Sequence, residues 1–198
     1  MRLILTRHGE TIENKKGINQ GWLPGHLSGL GKKQAKLVAL RLRNLHIDII
    51  YCSDLNRCLE TANEIKKYHK NSRFIKENRL RERCTGIFQG TVVNKSDWDI
   101  LKGDLYTNKP KGGESFVEMW GRLKDFYKDL LENTDETILV IGHGGSICLL
   151  HGLISGKDLK YSLTKIEKLK NTAITEFKVD SDGSFKLLVL NSEEHLIN

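Results

Sequence analysis

Three short apolar runs, Leu3 to Thr6, Asp48 to Cys52 and Thr137 to Gly142, each break off at polar residues, and a helical pattern follows each one. Runs of this length, bounded so sharply, read as strands buried in a sheet. The first stops at Arg7-His8-Gly9, the second at Ser53-Asp54 and the third at His143-Gly144-Gly145-Ser146. Behind Ser28 as an N-cap, Leu30, Leu37, Val38, Leu42 and Leu45 recur at helical spacing, with Gln34 the polar exception on that face. Ser53-Asp54 offers a cap for a second helix reaching about His69, and Phe74 to Lys76 reads as a short strand.

The remaining segments extend the alternation. Glu114 to Leu131 reads as a long amphipathic helix with Phe116, Val117, Trp120, Leu123, Phe126, Tyr127, Leu130 and Leu131 inward. Ile147 to Ile154 forms another. Thr172 to Val179 and Phe185 to Leu190 flank Asp180-Ser181-Asp182-Gly183, a hairpin pattern. Gly9 to His26 reads as a polar loop. Residues 80–112 lack strong periodicity apart from a short helix around Asp97 to Leu101.

This order implies a three-layer α/β/α sandwich around a mostly parallel central sheet. With 198 residues, two prolines, no repeat and no low-complexity linker, residues 1–198 are expected to form one domain. Ligands of such folds sit beyond the carboxyl ends of the strands. One histidine after one strand is ordinary. Two, His8 and His143, at separate strand ends beside Arg7 and Arg57 point to a convergent site.

The formal charge is +7, and the densest basic stretch, Lys66 to Arg83, carries eight Lys/Arg against Glu77 and Glu82. A solvated face is the default for such a run; binding of nucleic acid or attraction of a small anion are the alternatives. The chain lacks zinc-finger, RRM and KH patterns and is only 7% aromatic, which weighs against nucleic acid. Cys52, Cys58, Cys84 and Cys148 show no C-x-x-C pairing and read as reduced thiols. No apolar run approaches the ~18 residues of a membrane span or suits a signal peptide, so a cytoplasmic protein off the membrane is expected.

A phosphate monoester suits this constellation. Its transferred group is stabilised by fixed positive donors. Arg7 and Arg57 can each supply a fork of charge-assisted hydrogen bonds, worth about 1.5–3 kcal/mol apiece. His8 is a nucleophile if one ring nitrogen is unprotonated and the other donates to a backbone carbonyl. Glycines 9, 144 and 145 let the backbone approach a phosphate, and a helix starting near Ser146 would point amides toward it. An acid must protonate the leaving oxygen. Glu82, in the irregular loop after the basic run, is the candidate, ahead of Glu10, which adjoins the histidine but is expected to point away.

These residues fall into blocks that resemble the histidine phosphatase superfamily, in the branch of cofactor-dependent phosphoglycerate mutases and small phosphatases. The blocks are Leu5-Thr6-Arg7-His8-Gly9-Glu10-Thr11 with Asn14 and Gln20-Gly21; Leu27-Ser28-x-x-Gly31-x-x-Gln34-Ala35; and Ser53-Asp54-Leu55-x-Arg57-Cys58-x-x-Thr61-Ala62. Leu80-x-Glu82-x-x-x-Gly86-x-x-x-Gly90, Gly112-Gly113-Glu114-Ser115 and Val140-Ile141-Gly142-His143-Gly144-Gly145 follow in the family's order. Each block is modestly specific, and their succession is very specific.

The resemblance implies His8 as the phosphorylated nucleophile, with Arg7, Arg57 and His143 holding the phosphoryl group. Glu82 would protonate the leaving oxygen and then activate water. Asn14, Gln20, Gly21 and Gly144 would line the phosphate pocket. It implies no metal or other cofactor, in keeping with a sequence that clusters no ligand set. Pro24-Gly25-His26 departs from the family, which often has proline directly before the Leu-Ser pair; whether His26, with Trp22, reaches substrate or only shapes the loop stays open. Glu114 and His151 read as structural, and His46, His69 and His195 as surface residues.

The mutases carry a longer segment between the acid loop and Gly-Gly-Glu-Ser, shielding phosphohistidine from water. Here 29 residues separate Glu82 from Gly112, with Lys95, Lys102, Lys109 and Lys111 as their lysines. A short cover favours hydrolysis. The expectation is a phosphomonoesterase acting on a small anionic metabolite such as phosphoserine or 3-phosphoglycerate. A phosphoglycerate mutase is the alternative, and a non-catalytic phosphate- or nucleic-acid-binding protein the alternative of another class. The resemblance and the exposed edges of the terminal strands allow a homodimer.

Overall fold

In a computed structural model, which describes residues 1–93, 104, 106–132 and 136–197, alternation along β1 (Arg2–Arg7) decides the layering. Leu3 and Leu5 enter one core and Ile4 the other, each fully buried. β4 (Thr137–Gly142) divides in the same way, Ile138 and Val140 against Leu139 and Ile141. Both strands therefore need cover on both faces.

The six-stranded sheet has the order β3-β2-β4-β1-β5-β6, with β2 (Ile49–Cys52), β3 (Arg73–Lys76), β5 (Ile174–Val179) and β6 (Phe185–Ser192) completing it. The first four in that order run parallel, while β5 and β6 pair antiparallel as the expected hairpin. One face is covered by α2 (Gly29–Leu42) and α3 (Asn56–Lys66) through Val38, Ala39, Leu42, Ala62 and Ile65. The other is covered by α4 (Phe116–Leu131) and α5 (Gly144–Ile154), through residues such as Met119, Leu123, Phe126, Leu149 and Leu150; α6 (Leu159–Lys165) packs beside them. This is the expected three-layer α/β/α arrangement.

Several local expectations change. The loop Gly9 to His26 contains α1 (Ile12–Lys16), closed by a reciprocal Thr11–Asn14 capping box but burying none of its residues, so it leaves no apolar period to read. On α2 the inward face is Gly31, Ala35, Val38, Ala39 and Leu42, whereas Leu30 is exposed. Val117 on α4 is exposed as well, and Met119 takes a core place instead. α3 begins at Asn56 and ends at Lys66, with no side-chain cap, because Ser53 and Asp54 bond elsewhere. His69 is buried rather than superficial. The short helix expected at Asp97 to Leu101 lies outside the described residues.

Candidate active site

Parallel register sets the centre of the site. Arg7 lies opposite Gly142 and Cys52 opposite Ile141, so His8, Ser53 and His143 leave three adjacent strand ends at one level. The His8 amide donates to the Gly142 carbonyl at 3.1 Å, and the two histidine rings meet edge to face with centroids 5.2 Å apart. This is the carboxyl edge of the sheet, where strand order departs from sequence order.

His8 is buried, and its Nδ1 lies 2.7 Å from the Gly9 carbonyl. A carbonyl only accepts, so Nδ1 carries the hydrogen and Nε2 the lone pair. Burial holds the ring well below the usual histidine pKa, and the Arg7 and Arg57 guanidiniums push it the same way. The ring is thus neutral, in the tautomer a nucleophile requires.

The two arginines bond to neutral acceptors. Arg57, 1% exposed, donates through Nε to His143 Nδ1 (3.1 Å), through Nη1 to the Leu23 carbonyl (3.1 Å) and through Nη2 to the Gly21 carbonyl (2.8 Å). Arg7 donates through Nη1 to the Leu169 carbonyl at 3.1 Å, and its Nε is buried without a partner. Burial lowers both guanidiniums from the ordinary arginine value, opposed for Arg7 chiefly by Glu82 and for Arg57 by Cys58 and then Glu82. Arginine pKa values start so high that both remain cations. Among the described residues neither is ion-paired to a carboxylate, so no direct ion pair compensates their charge.

His143 is fully buried behind Arg57. With Nδ1 accepting from Arg57, its Nε2–H donates to Ser53 Oγ at 2.8 Å. In this geometry it orients the Arg57 fork and does not line the cavity. Burial, then Arg57, keeps it neutral by holding its pKa well down.

Glu82 projects across the mouth of this group. Its Oε2 accepts the Gly145 N–H and its Oε1 the Arg83 N–H, each at 2.9 Å. The first turn of α5 thus holds the Glu82 carboxyl group through a backbone N–H. Glu10 turns away, accepting from Ser28 Oγ at 2.6 Å. Glu114 is structural, pairing with Arg122 at 2.6 Å and accepting the Cys84 N–H.

Arg7, His8, Arg57 and Glu82 open together on a cavity of 430 Å³. Asn14, Gln20 and Gly21 also line it, but the nearby glycine on α5 is Gly145; Gly144 packs against the Arg7 guanidinium. Trp22 and His26 stand outside. The Trp22 indole N–H donates to the Glu82 carbonyl at 2.6 Å, with its ring under Arg81, and His26 pairs with Glu60 at 2.7 Å on the surface. Trp22 therefore steadies the acid loop and His26 shapes its own.

The cavity lining also holds Tyr106, Leu149, Leu163 and Lys168, which the sequence patterns did not mark for the site, and Phe116, read there only as an inward helix position. Of the basic run, Arg83 alone lines the cavity, stacked 3.9 Å over the Phe116 ring. Arg79 is bound to Glu77 and Asp129, and Arg81 to Asp54. Among the described residues no three His, Cys, Asp or Glu side chains are grouped to hold a metal, and no helix is long and apolar enough to cross a membrane.

A sheet edge that presents a neutral histidine beside two guanidiniums and a carboxyl group has the charge and donor pattern that suits an anionic ligand. The pattern of the histidine phosphatase superfamily, branch 1, matches residues 3–193, and the chain belongs to that family. Phosphoserine phosphatase 1 of Hydrogenobacter thermophilus is 32% identical over 192 residues, covering 88% of this chain and 90% of that protein. A phosphoglycerate mutase of Schizosaccharomyces pombe is 31% identical over 202 residues, covering 92% of each. The alpha-ribazole phosphatase structure from Shigella flexneri superposes with a TM-score of 0.86 at 26% identity, covering 97% of this chain and 96% of that one.

Proposed function

We propose that this protein is a metal-independent phosphomonoesterase working through phosphohistidine at His8. The observation that carries this reading is the pair of guanidiniums, that of Arg57 buried and that of Arg7 partly buried, neither paired with a carboxylate among the described residues, beside a histidine whose Nε2 lone pair is free. A phosphate dianion entering between Arg7 and Arg57 places its phosphorus before Nε2. The N–P bond forms as the ester P–O bond breaks, and Glu82, entering the cycle as the carboxylic acid, gives its proton to the departing oxygen and becomes the carboxylate. Water then attacks phosphohistidine with Glu82 taking its proton, which releases inorganic phosphate and restores His8.

The substrate is a small anionic metabolite of the phosphoserine or phosphoglycerate kind. Arg83 and Lys168 on the cavity wall supply positive charge beyond the phosphate subsite, and the phosphoserine phosphatase relative supports the class. A phosphoglycerate mutase is the second reading, favoured by the mutase relative. The 29-residue span between Glu82 and Gly112 argues for hydrolysis, since a mutase must shield its phosphohistidine from water.

Turnover of p-nitrophenyl phosphate in the presence of EDTA tests the reaction. Activity that resists chelation and vanishes in His8→Ala is expected; absence of turnover and of any acid-labile phosphoenzyme would sink the reading. A panel of phosphorylated metabolites ranked by kcat/KM tests the substrate class. Preference for neutral aryl phosphates over phosphoserine and 3-phosphoglycerate would count against it, and 2-/3-phosphoglycerate interconversion outpacing phosphate release would favour the mutase.

A further inference from the structure

Gln34, the polar exception on α2, takes no part in the chemistry above, yet its Oε1 accepts the Glu10 N–H at 2.8 Å. That N–H belongs to the same peptide unit as the Gly9 carbonyl, the acceptor for His8 Nδ1–H. A peptide unit is planar and stiff, so holding its N–H fixes the direction of its carbonyl. The preceding unit is gripped at both ends: the Gly9 N–H donates to Thr61 Oγ1 at 3.1 Å, and the His8 carbonyl accepts from Asn171 Nδ2 at 2.9 Å.

α2 reaches this loop by backbone contact. A Cβ on Gly9 would stand 2.5 Å from the Gly31 carbonyl oxygen, and one on Gly31 would overlap the Glu10 carbonyl. Gln34 follows Gly31 by three residues and so lies on the same helix face. Burial and the two arginines keep the His8 ring neutral, which leaves only the choice between its two neutral tautomers.

We infer that Gln34 is a positioning residue for the nucleophile: through the Gly9–Glu10 peptide it holds the acceptor that keeps His8 in its Nδ1–H tautomer, with Nε2 toward the phosphate. The inference rests on His8 being the nucleophile proposed above, and it adds the element that sets its tautomer.

Two measurements on the full chain test it. In single-turnover phosphorylation, Gln34→Ala is expected to slow phosphohistidine formation about 10- to 100-fold, the range for outer partners that orient a functional histidine. Gln34→Glu, which keeps an acceptor oxygen, should recover most of the rate, and Lys33→Ala on the exposed side of α2 should match the parent. In the free enzyme, side-chain 15N NMR should show His8 as a single Nδ1–H tautomer that becomes mixed, or Nε2–H, in Gln34→Ala. If the alanine variant does not fold, Gln34→Met, similar in volume but without the amide oxygen, replaces it.

A wild-type rate in the variant, a slowed rate with the His8 tautomer unchanged, or no recovery in Gln34→Glu would overturn the inference. If the parent itself forms no phosphohistidine, the proposed function fails, and the NMR comparison still decides what Gln34 does.

Discussion

Replacing Gly145 with alanine puts a methyl group where Glu82 now holds its carboxylate. The backbone tolerates the change, since Gly145 lies in the first turn of α5 and outside the left-handed region. Helix propensity would even add up to about 1 kcal/mol of stability. The new Cβ, however, would overlap Glu82 Oε1 and stand 3.1 Å from its Cδ and 3.3 Å from Oε2. The carboxylate must swing aside and give up its 2.9 Å bond to the Gly145 N–H. A backbone hydrogen bond to a neutral carboxyl group is worth about 0.5–1.5 kcal/mol, so its loss should lower kcat/KM about 2- to 10-fold, and by more where the displaced acid no longer reaches the leaving oxygen. Complete loss of the acid sets a ceiling of about 10²–10⁴.

The assay compares phosphoserine with p-nitrophenyl phosphate. An alkyl alcohol needs a proton to leave, whereas p-nitrophenolate does not, so the loss should concentrate on phosphoserine while Tm holds or rises. Unchanged kcat/KM on phosphoserine, or equal losses on both substrates with a lowered Tm, would refute Glu82 as the proton donor positioned by Gly145.

Other perturbations read different parts of the site. Arg57→Lys forfeits the three directed bonds to His143, Leu23 and Gly21, and should lower kcat/KM more than ten-fold; steady-state kinetics with added phosphate as competitor checks it, and an unaltered inhibition constant would count against the anion cradle. Gly31→Ala should destabilise the fold and abolish turnover together, because its Cβ meets the Glu10 backbone rather than a yielding side chain, as thermal unfolding beside activity would show. His8, His143 and His151 all have pKa values held below the ordinary 6.5 by burial, so on acidification the unfolded chain takes up protons that the folded chain refuses. Stability should therefore fall as pH drops below about 6.5, with Tm at about pH 5 below that at about pH 7.5, while the acid limb of kcat/KM lies below the ordinary histidine value. A Tm unchanged or higher at the lower pH would contradict this.

The strands were legible because the centres of β1 (Leu3-Ile4-Leu5) and β4 (Ile138-Leu139-Val140-Ile141) are buried on both faces and are apolar without a break, and their parallel pairing follows from strand–helix alternation. Arg7, His8 and His143 stood out because each lies at a strand end, whereas Arg57 on α3 and Glu82 in its loop were marked by the family blocks. What the sequence hides is what each polar residue bonds to. Ser53 and Asp54 look like a helix cap, but the hydroxyl accepts from His143 and the carboxylate pairs with Arg81, so the helix starts later. The Lys66 to Arg83 run looks like a field around the site, yet Arg79 and Arg81 form ion pairs away from it, and of the run Arg83 lines the cavity, with its Nε donating to the Glu114 carbonyl. The start of α2 has Gly31 and Ala35 inside, not Leu30, since its first turn presses on the Gly9–Glu10 backbone; helical spacing gives no hint of that approach.

The central claim is a covalent phosphoryl group on one nitrogen of one residue. Rapid quenching of the enzyme with a radiolabelled phosphomonoester, followed by peptide mapping, measures it directly. An acid-labile, alkali-stable label is expected on the peptide carrying His8, stoichiometric within the first turnover and missing in His8→Ala. A label on any other residue, or steady hydrolysis with no label trapped and activity retained in His8→Ala, would contradict it.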